Sequence, residues 1–143
     1  MKRLDRKSDC AINYTLEAIG DPWSLLIVRD IVYFGKKTYG EFLASEEAIA
    51  EAPLARRLAA LQAHGILTKK RSQTDKRKEE YSLTQKGIDL IPLIIDFAIW
   101  GAKHDTHTGA DQEWINKSST KREEALQDLQ LAVKDGRAFF KNQ

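Results

Sequence analysis

Between Ile49 and Gln85 the sequence reads IAEAPLARRLAALQAHGILTKKRSQTDKRKEEYSLTQ, a helical pattern that passes directly into a two-stranded one. Leu54, Leu58 and Leu61 recur at the spacing of one helix face, and Gly65 supplies a stop, which predicts a helix over 51–64. Ile66, Leu67 and Thr68 then open a strand, and Ser72 to Asp75 form a turn. Tyr81 and Leu83 alternate with polar residues on the way back, so a hairpin is expected over 66–83.

Charge separates this stretch from an ordinary helix and hairpin. At 100° per residue Ala52, Arg56, Ala59 and Ala63 fall opposite the leucines, with Arg57 on the flank. A solvated outer face usually carries Glu and Lys; small residues around one arginine would let a backbone approach a groove closely. An alanine-rich surface helix accounts for that face equally well, and the hairpin tips the balance. It carries Lys69, Lys70 and Arg71 before the turn and Lys76, Arg77 and Lys78 after it, and from Arg56 to Lys78 the only acid is Asp75. A run of charge is commonly a solvated face, but a hairpin does not need six cations to stay soluble. The net charge of +2 conceals this local footprint for a polyanion.

The flanking chain reads as helices. Residues 1–9 are polar, and Lys2, Arg3, Arg6 and Lys7 suit a solvated arm as well as a contact to a polyanion. Ile12, Leu16 and Ile19 mark a helix ending at Gly20, and Asp21-Pro22 start the next, whose buried face holds Trp23, Leu26, Ile27, Ile31 and Phe34. Thr38 and Glu41 have capping-box spacing for a brief helix. Together with the helix from Glu51 this makes a helix-turn-helix, and the hairpin makes it winged. Thr84 caps a further helix over 85–102, apolar on two stripes, one of Ile88, Ile91, Ile95 and Ile99 and the other of Leu90, Ile94, Phe97 and Gly101. Pro92 inside it predicts a kink. Two apolar sides in a small domain predict a homodimer with this helix at the interface. Residues 103–118 read as irregular, with an isolated Trp114, and a helix from Thr120 capped through Glu123 reads as packing or dimer-bracing. The expected fold is mainly α with a small β wing, a winged helix-turn-helix dimeric through terminal helices. Residues 1–103 form the DNA-binding unit and 104–143 a helical extension.

Several classes are disfavoured. The 31% charged share, the absence of an apolar leader and a longest apolar run of only Ile91 to Ala102 point to a soluble cytoplasmic chain without a membrane association. One cysteine, Cys10, allows no internal disulfide. His104 and His107 lack a companion carboxylate motif, His64 sits at a helix end, and no glycine-rich phosphate loop is present, so neither enzyme, metal nor cofactor is expected. A winged helix serving only protein contacts would not need the basic ribbon. Trp23, Tyr14 and Trp100 could line a small-molecule pocket between subunits, though such aromatics more commonly fill a core.

A series of strings resembles HxlR-type transcriptional regulators. These are Cys10 with Tyr14-Thr-Leu-Glu, Gly20-Asp-Pro-Trp23-Ser-Leu-Leu-Ile-Val-Arg29-Asp30, Tyr39-Gly-Glu-Phe-Leu-Ala-Ser, Leu54-Ala-Arg-Arg57-Leu58, Leu61-Gln-Ala-His-Gly65-Ile, Tyr81-Ser-Leu-Thr84-Gln-Lys-Gly87 and Trp100-Gly101. The likeness runs over about residues 9–102 and stops before the tail. It implies a dimeric bacterial regulator, of the order seen in winged-helix repressors, that binds double-stranded DNA at an inverted repeat. Arg56 would reach base edges, with Ala52 and Pro53 allowing close approach. Arg57, Lys69, Lys70, Arg71, Lys76, Arg77 and Lys78 would hold phosphates. Two departures stand out. Glu51, Ala52 and Pro53 replace the polar, uncharged start expected of the recognition helix, and Glu51 could either accept from a cytosine amino group or simply favour a helix N-terminus. Ala11 follows Cys10 where the family commonly has proline; Cys10 is then either a small buried residue near the dimer helix or a redox or electrophile sensor.

Overall fold

The computed structural model describes residues 6–141, which leaves Lys2 and Arg3 outside the described residues. Helices α1 (Ala11–Ile19), α2 (Ser24–Phe34), α3 (Tyr39–Leu43) and α4 (Glu51–Ala63) lead into strands β1 (Leu67–Arg71) and β2 (Glu79–Leu83). Helices α5 (Gln85–Ile88), α6 (Ile91–His104), α7 (Gln112–Thr120) and α8 (Arg122–Lys134) follow. The architecture is mainly helical with one two-stranded antiparallel sheet, as expected.

Local chemistry sets most boundaries. Asp21 Oδ2 accepts from the amides of Trp23 and Ser24, both at 2.9 Å, and so starts α2. The capping box of Thr38 and Glu41 is formed in full at α3. Gly65 ends α4 with φ +73°, a left-handed conformation that glycine adopts without a Cβ clash. At α5 the Thr84 side chain accepts from the Gly87 amide. A Cβ at Gly87 would stand 2.5 Å from the Ile66 carbonyl oxygen, so the start of the wing and the turn after it fit only around a glycine.

The core joins Val28 and Val32 of α2 to Leu54, Leu58 and Leu61 of α4 and to Ile91 and Ile95 of α6. Phe42 packs edge-on against Tyr81 of the wing, with ring centroids 6.0 Å apart. The Tyr81 amide also donates to the Lys37 carbonyl at 2.7 Å, tying β2 to the segment after α2.

The last third differs from expectation in four ways. The helix over 85–102 is not one kinked rod: it breaks at Asp89 and Leu90, and Pro92 falls in the first turn of α6. There its missing N–H costs nothing, whereas in mid-helix it would cost about 3 kcal/mol. Residues 103–118 are not irregular throughout, because Asp111 Oδ1 accepts from the Trp114 amide at 3.1 Å and starts α7, which buries Trp114 and Ser118 one turn apart. Thr120 does not cap α8; its hydroxyl donates back to the Asn116 carbonyl, and α8 begins at Arg122 without a side-chain cap. Finally, α7 and α8 pack against α6, and α8 against α2, placing Trp114, Ala125 and Leu129 in the same core. Part of the second apolar face of α6 is therefore covered by the chain's own extension. Phe97 and Trp100 remain 64% and 68% exposed.

Candidate nucleic-acid interface

Helix α4 turns Leu54, Leu58 and Leu61 fully inward, which forces Ala52, Ala55, Arg56 and Ala59 out into solvent. Pro53 is half-buried. Since Pro53 has no N–H and the Leu54 amide donates to Ala50, only the amides of Glu51 and Ala52 lack an intrahelical acceptor at this end. No side chain caps them. The Tyr39 hydroxyl donates to the Glu51 carbonyl at 3.2 Å and links the two helices of the motif. Arg56 has no ion-pair partner among the described residues. Arg57 is engaged: its Nη1 lies 3.3 Å from Asp21 Oδ1. Burial pushes the Asp21 carboxyl up, but hydrogen bonds from the Ser24 hydroxyl and the Trp23 and Ser24 amides, with the Arg57 charge, outweigh it and hold the group below its ordinary range.

The wing is less uniformly basic than its sequence. Leu67 stands opposite Leu83, Lys69 opposite Tyr81 and Arg71 opposite Glu79. Because side chains alternate between faces, Lys69 and Arg71 share a face with Glu79 and Tyr81, and Lys70 shares the other with Glu80. Lys69 Nζ pairs with Glu79 at 3.0 Å, and that hydrogen bond raises its pKa. Arg71 Nη1 donates across the turn to the Lys76 carbonyl at 2.5 Å. Arg77 Nε lies 3.1 Å from Asp75 Oδ1 and holds that carboxyl below its ordinary range. Lys70, Lys76 and Lys78 are exposed and unpaired among the described residues. Lys70 also borders a groove of about 720 Å³ with Lys37, Lys134 and Arg137, cations that charge counting along the wing alone leaves out.

Behind this surface lies a charge network with no separate sequence signal. Asp30, only 2% exposed, accepts from the Ser45 hydroxyl, from Arg29 Nη2 at 2.7 Å and from Lys36 Nζ at 3.4 Å. Arg29 reaches on to Glu47 at 2.7 and 2.9 Å. Burial works against the Arg29 charge, but its bonds to Glu47 and Asp30 raise the pKa on balance. The turn between α3 and α4 is thereby fastened to α2. Lys86 does the same for α1, donating to the Tyr14 hydroxyl at 2.7 Å and to the His64 carbonyl at 2.6 Å.

The family model for an HxlR-like helix-turn-helix matches residues 18–108. The chain belongs to this family. Among relatives of the HxlR-like chain, YdzF of Bacillus subtilis, named an uncharacterised HTH-type transcriptional regulator, is 31% identical over 71% of this chain and 93% of its own length. YybR of the same organism, named likewise, is 32% identical over 66% of this chain and 75% of its own. Of solved structures, PA1607 superposes with a TM-score of 0.66 at 34% identity, covering 74% of this chain and 72% of that one. The redox regulator HypR in its oxidised form gives 0.59 at 28%, covering 66% and 96%.

The remaining candidates are less engaged. Cys10 is exposed, not buried, because it precedes the first turn of α1 on the outer side. Tyr14 and Trp100 are exposed and Trp23 is half-buried. The His104 ring lies 4.7 Å from the Trp100 ring at a tilt of 43°, and His107 lies 3.7 Å from Asp105. Among the described residues no group of three or more His, Cys, Asp or Glu could hold a metal, and no helix is long and apolar enough to cross a membrane.

Proposed function

We propose that this chain is a sequence-specific DNA-binding transcriptional regulator, acting as a homodimer on an inverted-repeat operator. The observation that carries the reading is the outer face of α4, where an unpaired Arg56 stands among alanines on a helix whose opposite face is locked into the core. Arg56 reads base edges, Ala52 and Pro53 permit close approach, and the free amides of Glu51 and Ala52 suit a phosphate. Lys70, Lys76 and Lys78 meet phosphates directly. Lys69, Arg71 and Arg77 do so after yielding internal partners, and Arg57 supports the helix through Asp21 while its charge remains near the backbone. A winged helix used only for protein contacts has no use for these free cations. Operator fragments selected from genomic DNA supply the test. Arg56→Ala should lose roughly 1–3 kcal/mol of discrimination between operator and random duplex; an equal loss on both would overturn its role.

Dimerisation rests on the apolar side chains left in solvent: Phe97 and Trp100 on α6, and Ile12 and Leu16 on α1. Light scattering on the eluting protein should give twice the chain mass at micromolar concentration, and a stable monomer would refute it.

A second reading, thiol control of DNA binding, is favoured by the exposure of Cys10 and by the likeness to a redox regulator. With one cysteine per chain, a thiolate adding to a quinone is the simplest event. Quinone treatment should release operator from the native chain and not from Cys10→Ser; release from both would end this reading.

A further inference from the structure

The groove bordered by Lys70 is built from separate stretches of chain: the end of α2, the wing, α5 and the end of α8. Part of it therefore lies on the extension, outside the residues 18–108 that match the family model. Its walls are fixed by backbone bonds. The Tyr81 amide donates to the Lys37 carbonyl at 2.7 Å, and the amides of Phe139 and Phe140 both donate to the Tyr33 carbonyl at 2.8 Å. These bonds hold β2 and the chain after α8 against the end of α2. The volume of about 720 Å³ lies within the range of roughly 300–1,000 Å³ typical of small-ligand sites.

The lining divides by chemistry. Its aliphatic members are Leu83, Ile88 and Val133, all half-buried, and the buried Ile31. Its cations Lys37, Lys70, Lys134 and Arg137 are all exposed. The three lysines have no ion-pair partner among the described residues, and Arg137 makes a long contact, its Nε 3.6 Å from Asp135 Oδ2. The cations also converge, for Lys37 Nζ lies 3.5 Å from where a Cβ on Gly136 would stand, beside Arg137. Among the described residues Glu80 is the one acid on the wall. Cations gathered in a cleft with so little counter-charge repel one another and concentrate anions from solution. A DNA backbone would use the cations but leave Leu83, Ile88 and Val133 without a partner, whereas an aliphatic body laid over them takes apolar surface out of water.

We propose that this groove binds a free organic anion, a carboxylate on an aliphatic body. The body lies along Leu83, Ile88 and Val133, and the carboxylate meets Lys37, Lys134 and Arg137. Lys70 also belongs to the proposed DNA surface, but the site does not rest on that reading. Its test uses no DNA, and its failure would leave that reading intact.

The probe is decanoate, titrated into the ¹⁵N-labelled full chain, with decanol as the body without the charge and acetate as the charge without the body. Decanoate should shift the amide resonances of Lys37, Val133 and Gly136 saturably. Decanol should bind roughly tenfold weaker, as the loss of a charge-assisted contact implies. Acetate should bind roughly a hundredfold weaker, as the loss of a few buried methylenes implies. Lys134→Ala with Arg137→Ala should weaken decanoate by about tenfold and leave decanol unchanged. Gln130→Glu, which adds an acid at an exposed position of the same wall, should weaken decanoate several-fold and serves if the double variant does not fold. No saturable shift, a shift confined to residues around Phe97 and Trp100, decanol or acetate binding as tightly as decanoate, or an affinity untouched by these variants would each overturn the site.

Discussion

Replacing Lys70, Lys76 and Lys78 together by alanine is expected to weaken binding to operator and random duplex alike, by on the order of a hundredfold or more at 0.1 M salt. Each phosphate neutralised releases condensed counterions, so the logarithm of affinity falls with the logarithm of salt by roughly 0.9 per contact. Removing three contacts should flatten that slope by about 2 to 3. These three lysines are chosen because the structure leaves them unpaired. Lys69, Arg71 and Arg77 already hold Glu79, the Lys76 carbonyl and Asp75, so their contacts to phosphate must first exchange an internal partner. The matching triple of Lys69, Arg71 and Arg77 should therefore flatten the slope less. Titrations of labelled duplex from 50 to 300 mM salt measure both slopes. An unchanged slope in the first triple would remove the wing from the interface.

That ranking shows where sequence and structure part. The helix at 51–64, the hairpin and the caps at Thr38, Thr84 and Gly65 are legible because each depends on residues within a few positions. The wing's charge is legible as a sum but not as an arrangement. Glu79 and Glu80 follow Lys78 immediately, yet only antiparallel register places them beside Arg71 and Lys70. Arg57 looks as free as Arg56 in a helical projection, and Asp21, which takes it, is 36 positions away on a different helix start. The tail is the least legible part. Trp114 stands alone in a polar segment, and its burial follows from partners at Tyr33, Phe139 and Phe140 that no periodicity connects. The same partners explain why α6 has less need of a second subunit than its two apolar stripes suggest, while Phe97 and Trp100 still call for cover.

The largest expected effect on stability comes from Asp30. Asp30→Ala should cost about 3–5 kcal/mol, since it strips the carboxylate from Lys36 and Arg29 and leaves their charges in low dielectric. That is a large share of the roughly 5–15 kcal/mol that holds a domain folded. At roughly 2–4 °C per kcal/mol for a chain near this size, the midpoint of thermal unfolding should fall by about 10 °C. Lys36 retains its bond to Ser45 at 2.8 Å, but a hydroxyl cannot neutralise an ammonium. Arg29 keeps Glu47, so the uncompensated charge is chiefly that of Lys36. The double variant Asp30→Leu with Lys36→Met should accordingly recover much of the loss, because a well-packed apolar pair avoids the desolvation that the ion pair must offset. Calorimetry of the native chain and both variants decides the matter. A double variant as unstable as Asp30→Ala would mean that the cost lies in packing, whereas recovery would show that the cluster fastening the Ser45–Glu47 turn to α2 acts through charge. In that case the turn's position, and with it the direction in which α4 presents Arg56, is held by the ion pairs of Asp30 with Lys36 and Arg29.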